Sequence, residues 1–128
     1  MTDLLLGLDL TDVARVSKTL ERWGDRFLDR IFLPGEIRRG RSHPGAFAEH
    51  VAGRFAAKEA AMKALGTGWR GIAFKEVYVG RHASGKPRLE FRGRALERAR
   101  ALRVRTAEVT ITHTSTMAAA AVVLLTEE

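Results

Sequence analysis

Glu59 and Lys63 stand four residues apart in the stretch Phe55 to Lys63, which is built from Ala, Lys, Glu, Met and Phe without Gly or Pro. Such a segment favours a helix, and residues at i and i+4 share one edge of it. A carboxylate beside an ammonium can hold a divalent cation and a phosphate together. Asp9 offers a second carboxylate from a different element, at the end of the apolar run Leu4-Leu5-Leu6-Gly7-Leu8. Two carboxylates from separate elements, with lysines nearby, point to a Mg²⁺–phosphate site. Taken singly, each residue has a plainer reading. Asp9 reads as a turn or cap former, and Glu59 with Lys63 reads as a surface ion pair.

Several elements must position these groups. Leu4 to Leu10 suits a short buried strand, and Thr11 and Asp12 offer N-cap oxygens. Val13, Val16, Leu20, Trp23, Phe27 and Ile31 follow at helical spacing, with a break expected near Gly24. Leu33-Pro34-Gly35-Glu36 reads as a stop followed by a new helix start, and Gly40 to Gly45 as a loop. A long helix is expected from about Ala46 to Leu65. Its residues Phe47, Val51, Phe55, Met62 and Leu65 fall within an arc of about 80°. Lys58 projects into the middle of that arc and Arg54 lies at its border. Either their stems snorkel, or the stripe faces a cleft that holds an anion. Gly66-Thr67-Gly68 ends the helix.

The second half alternates. Phe74 to Val79 and Pro87 to Phe91 read as strands about a turn at His82-Ala83-Ser84-Gly85. Gly93 to Leu102 reads as a short helix. Glu108 to His113 and Met117 to Leu125 read as a strand pair around Thr114-Ser115-Thr116. The expected class is α+β, a single domain over residues 1–128, with helices in the first half and an antiparallel sheet mostly from the second.

Composition narrows the chemistry. The 128 residues include no cysteine, which excludes disulfides, thiolate metal sites and a cysteine nucleophile. The four histidines lack metal-ligand spacing, so zinc is not expected. No P-loop or dinucleotide fingerprint is complete. The longest apolar run, Met117 to Leu125, falls short of the about 20 residues a membrane helix needs. With Asp3 and no basic stretch at the start, no signal peptide is expected and a cytoplasmic protein is. The net charge of +7 fits either a solvated arginine-rich surface or an anionic partner.

The order of the motifs adds a resemblance. Gly7-Leu8-Asp9, then Gly53-Arg54-Phe55-Ala56-Ala57-Lys58-Glu59-Ala60 with Lys63, then Lys86-Pro87, then Ile111-Thr112-His113-Thr114 resemble the holo-[acyl-carrier-protein] synthases, the small 4'-phosphopantetheinyl transferases. The likeness spans residue 5 to about 125. Leu5 stands where that family often has a second Gly, and Ala60 where many of its members carry Ser. Neither position touches the ligands the resemblance implies.

The resemblance implies a phosphopantetheinyl transferase-like fold and a Mg²⁺-dependent transfer of 4'-phosphopantetheine from coenzyme A to a serine of apo-acyl carrier protein. Adenosine 3',5'-bisphosphate leaves, and the product serves fatty acid synthesis. By that analogy Asp9 and Glu59 hold Mg²⁺ and Lys63 faces the developing charge. Glu59, or a water bound to it, takes the serine proton. Arg54, Lys58, Gly66, Lys86, Pro87, His113 and Thr114 are expected to contact coenzyme A, with Lys86-Pro87 near the adenine. Lys58 and Arg54 are expected on phosphate, and His113 and Thr114 across a subunit boundary of a homotrimer. Arg15, Arg22 and Arg26 share a face if their helix is continuous, and are expected to meet the acidic carrier protein. Two other classes compete on the residues alone. A basic nucleic-acid-binding domain would use the same charge, but the few aromatics do not interleave with Arg and Lys. A Mg²⁺-dependent phosphohydrolase or nuclease could use Asp9 and Glu59. No nucleic-acid or membrane partner is expected.

Overall fold

The computed structural model describes residues 2–38, 43–67 and 71–127. Strand β1 (Leu4–Asp12) leads into helices α1 (Val13–Trp23) and α2 (Asp25–Ile31), and the long helix α3 (Pro44–Leu65) follows. A 3-10 turn (Phe74–Glu76) opens strand β2 (Val77–Arg81), which pairs with β3 (Pro87–Phe91). Helix α4 (Gly93–Ala101) then leads to the hairpin of β4 (Val104–His113) and β5 (Met117–Thr126). The main sheet is antiparallel in the order β1-β5-β4, and β2-β3 forms a second, two-stranded sheet.

Helix α3 is the axis on which the rest packs. Ala52, Ala56, Ala57, Ala60 and Ala61 are wholly buried, because small side chains let the sheet approach the helix backbone. The closest approach is at Gly7 of β1, where a Cβ would run into the carbonyl oxygen of Ala60. Gly53 makes a second such contact, with Ile111 of β4 at 2.8 Å from the Cβ position. One apolar cluster gathers α3, β2, α4 and the inner face of the sheet. A second gathers α1, α2 and the first half of α3.

Several expectations change in the folded chain. The β1 run is not a fully buried strand: Leu4, Leu6, Leu8 and Leu10 are 64 to 69% exposed. Side chains alternate across a strand, so only Leu5, Gly7 and Asp9 face α3. Helix α3 is not striped: buried residues occur around most of its circumference, because sheet, α1 and β2 approach it from different sides. No helix starts at Glu36. Residues 34–37 form a turn whose glutamate is drawn inward. Phe74 to Glu76 is a 3-10 turn rather than strand, because Glu76 Oε1 accepts the Ala73 amide and folds the segment over. Gly40 and Gly68, assigned above to loops, lie outside the described residues.

The break at Gly24 occurs as expected. Its φ of 50° and ψ of −128° suit a residue without a Cβ, and it separates α1 from α2. The other strand and turn assignments in the second half hold, with β4 beginning earlier, at Val104.

Candidate active site

Asp9 reaches the site because β1 lies against α3. Its side chain is 9% exposed. Oδ1 accepts from Lys63 Nζ at 3.1 Å and Oδ2 from the Thr11 hydroxyl at 3.2 Å. Lys63 Nζ also donates to the Leu8 carbonyl at 3.0 Å, while 54% of its side chain stays open to solvent. Glu59 lies one helical turn before Lys63, so the three groups from two elements converge.

Glu59 is held in an uncomfortable place for an anion. Burial is the main cause that pushes its carboxyl above the ordinary 4.5. The Asp9 charge and a hydrogen bond with Asp9 add to the rise, and Lys63 opposes it. Two carboxyls placed side by side also form a natural seat for a cation. No cluster of three or more His, Cys, Asp or Glu occurs among the described residues. Mg²⁺ does not require one, since it takes one or two carboxylates and completes its octahedron with phosphate oxygens and water.

These acids sit in a cleft of about 490 Å³ lined also by Arg15, Phe27, Phe55 and Phe74. The three rings form a row: Phe27 to Phe55 at 6.4 Å and Phe55 to Phe74 at 5.3 Å between centroids. The cleft is therefore lined by both charged and aromatic side chains. Residue spacing alone did not single out Phe27 or Phe74, since they come from separate elements and meet only in the folded chain.

A smaller pocket of about 180 Å³ collects His50, Gly53, Arg54, Pro87, Ile111 and His113. It brings three of the expected coenzyme-contacting residues together: Arg54, Pro87 and His113. His113 Nδ1 lies 2.9 Å from Glu49 Oε1. Among the described residues, this pocket shares no lining residue with the acid cleft. Lys86 projects elsewhere, onto Glu108 at 2.6 Å, and its hydrogen bond, helped by its charge, holds that carboxyl below the usual range. Thr114 Oγ1 accepts from the amides of Thr116 and Met117, tying the β4–β5 turn. Gly66 is the left-handed C-cap of α3.

Lys58 is the clear correction. Expected on phosphate, it is wholly buried. Its Nζ donates to Glu36 Oε1 at 3.0 Å, to the Phe74 carbonyl at 2.9 Å and to the Val77 carbonyl at 2.6 Å. All three ammonium protons are thus used inside the protein. Burial drags its pKa from 10.5 down to about 8, against the pull of Glu36. Neither snorkelling nor an anion-binding cleft describes it. A lysine in mid-stripe signals a buried counter-charge, but which carboxylate supplies it is decided only when the 34–37 turn packs against α3.

The arginine face is also rebuilt. Arg15, Arg22 and Arg26 do not lie on one continuous helix, because Gly24 breaks it. Arg15 lines the acid cleft. Arg22 and Arg26, from either side of the break, stack over Trp23 at 5.1 and 5.7 Å. Trp23 and Arg26 border a groove of about 660 Å³ that shares Thr19 and Phe27 with the cleft.

Comparison with known proteins gives the family. Residues 5–120 match the profile of the 4'-phosphopantetheinyl transferase superfamily. The holo-[acyl-carrier-protein] synthase of Koribacter versatilis is 45% identical over 119 residues, 92% of this chain and 94% of that protein. The crystal structure of holo-[acyl-carrier-protein] synthase from Neisseria meningitidis superposes with a TM-score of 0.80 at 30% identity, over 97% of this chain and 98% of that one. A holo-(acyl-carrier-protein) synthase from Bacillus anthracis, solved in complex with CoA (3',5'-ADP), gives 0.77 at 32% identity over 96% of each chain. The chain belongs to the 4'-phosphopantetheinyl transferase superfamily, and within it to the holo-[acyl-carrier-protein] synthases.

The raised Glu59 carboxyl makes a measurable prediction. A carboxyl held up in the fold stabilises the protein fully below the unfolded value near 4.5 and loses that contribution as pH rises through the folded value. Asp9→Asn should lower the Glu59 midpoint while burial keeps it above the ordinary range. A carboxyl ¹³C titration in the metal-free protein reads this directly. An unchanged midpoint would refute the coupling of the two acids.

Proposed function

We propose that this protein transfers the 4'-phosphopantetheine group of coenzyme A to a serine hydroxyl of apo-acyl carrier protein, releases adenosine 3',5'-bisphosphate, and so prepares the carrier for fatty acid synthesis in the cytoplasm. The observation that carries this reading is the meeting of Asp9, Glu59 and Lys63, with both acids lining a cleft, in a chain of this family. The adjacent carboxyls suit Mg²⁺, with Asp9 and Glu59 as its protein ligands. The ion would neutralise charge on the pyrophosphate.

In the reaction the serine oxygen forms a bond to the β-phosphorus. The bond from that phosphorus to the bisphosphate oxygen breaks, and the bisphosphate departs. Glu59, or a water it orders, accepts the serine proton; its environment already favours holding one. Thr11 and Lys63 orient Asp9. Lys63 is exposed enough to follow the charge that gathers on the departing group. No nucleophile from the protein is needed.

Arg54, Pro87 and His113 form the coenzyme pocket in this reading, with His113 and Thr114 serving a neighbouring protomer. The separation of that pocket from the acid cleft within one chain supports a homotrimer in which adjacent protomers complete each site. So does the row Leu4, Leu6, Leu8 and Leu10 on the outer sheet face, beside Ala119, Ala121, Val123 and Leu125. Arg15, Arg22 and Arg26 would meet the acidic carrier.

Incubation with coenzyme A, Mg²⁺ and apo-carrier protein, read by mass spectrometry, tests the reaction. Only a transferase adds phosphopantetheine to the carrier. Asp9→Ala and Glu59→Ala should each lower transfer at limiting Mg²⁺ by about tenfold to a hundredfold or more. Lys63→Ala should lower kcat more than it raises the KM for coenzyme A. Near-normal rates in all three would sink the assignment.

For the carrier surface, Arg15→Glu or Arg26→Glu should raise the KM for carrier protein and leave that for coenzyme A nearly unchanged. Added salt should mimic the change, since exposed charges are screened beyond about 8 Å at physiological ionic strength. Equal losses for both substrates, or none, would count against these arginines.

The assembly is checked by sedimentation equilibrium. Leu6→Glu should yield monomers that transfer the group poorly. A trimeric, active Leu6→Glu protein would remove the leucine face from the interface.

A further inference from the structure

Lys58 and Glu36 are buried, charged and unused by the chemistry above. Glu36 is wholly buried as well. Its Oε1 accepts from the Leu33 amide at 2.8 Å and its Oε2 from the Val79 amide at 2.9 Å. With the three bonds of Lys58, the pair links four segments: the 34–37 turn, α3, the 3-10 turn and β2. The Phe32 ring lies 5.1 Å below the ammonium. A buried ion pair is a poor source of stability, since apolar side chains of similar volume commonly do as well. The surroundings here are apolar: Met62, Leu65, Val77 and Val79 are all within the core. Stability alone therefore gives little reason for a cation at this position.

Its contacts give a better one. Lys58 Nζ holds the carbonyl of Phe74, and the Phe74 ring closes the aromatic row of the cleft that contains Asp9 and Glu59. Lys58 immediately precedes Glu59 on α3. One helix thus presents a carboxylate to the cleft and, one residue earlier, an ammonium that anchors the segment bearing Phe74, another residue of its lining. The wall is thus tied to the helix that carries Glu59 in two ways, by the bond from Lys58 to the Phe74 carbonyl and by the contact of the Phe74 ring with Phe55.

We propose that Lys58, clamped by Glu36, is a positioning residue that fixes the Phe74 wall of the cleft relative to the carboxyl pair, and so sets how the substrate is seated for transfer. This rests on the transferase reading, and its test begins where that reading has already passed: the wild-type full chain must first be seen to modify apo-carrier protein. Failure at that step falls on the reaction and not on the wall.

Four proteins are then compared with Mg²⁺, coenzyme A and apo-carrier: wild type, Lys58→Met, Phe74→Leu and the double variant. Each single change should lower kcat/KM about tenfold or more, since misplacement near 1 Å can cost about a hundredfold. The double variant should be no worse than the poorer single one, because Lys58 acts through Phe74. Affinity for Mn²⁺ as a probe of the acid pair, read by electron paramagnetic resonance, should stay within about twofold throughout, far from the loss expected when a ligand's support is removed. Additive losses in the double variant would overturn the proposal. So would a Mn²⁺ affinity that falls in step with activity, because Lys58 would then act through Glu59. Phe74→Leu leaves the ion pair intact, so it decides the matter even if Lys58→Met fails to fold: undiminished activity in Phe74→Leu overturns the proposal.

Discussion

The distance between β1 and α3 governs the acid cluster. Gly7 lies where a Cβ would strike the backbone carbonyl of Ala60, and the alanines of α3 remove any larger obstacle on the helix side. Two residues after Gly7, on the same face of the strand, Asp9 is delivered to Lys63 and Glu59. A side chain at position 7 would push the strand outward, and the Asp9–Lys63 bond of 3.1 Å has little length to spare. The antiparallel pairing of β1 with β5 then holds the approach along the whole strand, so the site inherits the stiffness of the sheet.

The charged interior carries an energetic cost of a different kind. Removing one partner from a buried pair such as Lys58–Glu36 costs about 3–5 kcal/mol, because the other charge is left without compensation. That sum is a large part of a typical domain's stability. The pair is tolerated because every donor and acceptor has a partner: three protons on Lys58, two amides and an ammonium on Glu36. The Glu59 carboxyl is the opposite case. It is half-buried beside another acid, and its discomfort is relieved by a proton or a cation, which is the property a site for phosphate chemistry needs.

Positive charge is arranged in two tiers. Exposed arginines on α1 and α2 contribute little to stability but shape the electrostatic field around this surface. The stacking of Arg22 and Arg26 on Trp23 limits the freedom of both guanidiniums, and the groove bordered by Trp23 and Arg26 meets the cleft at Thr19 and Phe27. Groove and cleft therefore share part of their lining, and each carries both signs of charge: Arg26, Asp29 and Arg30 in the groove, Arg15, Asp9 and Glu59 in the cleft.

Local rules were enough for much of this molecule. Alternation and turn residues marked β3, β4, β5 and the hairpin turns, and helical spacing marked α1, α2, α3 and the break at Gly24. The Lys-Glu-x-x-x-Lys element showed Glu59 and Lys63 on one edge of a helix, because i and i+4 contacts depend only on the helix itself. Asp9 could be named as a candidate, but its meeting with Lys63 required β1 to dock on α3. Residue order also drew Lys58 toward phosphate, whereas its counterion lies 22 residues away in sequence and comes close only when the 34–37 turn folds under β2. The outward leucines of β1 and the split between the acid cleft and the Arg54–His113 pocket were equally hidden. A linear pattern records which residues are apolar or charged, but which side of a strand is covered, and which distant charge meets a buried one, is decided by packing between elements.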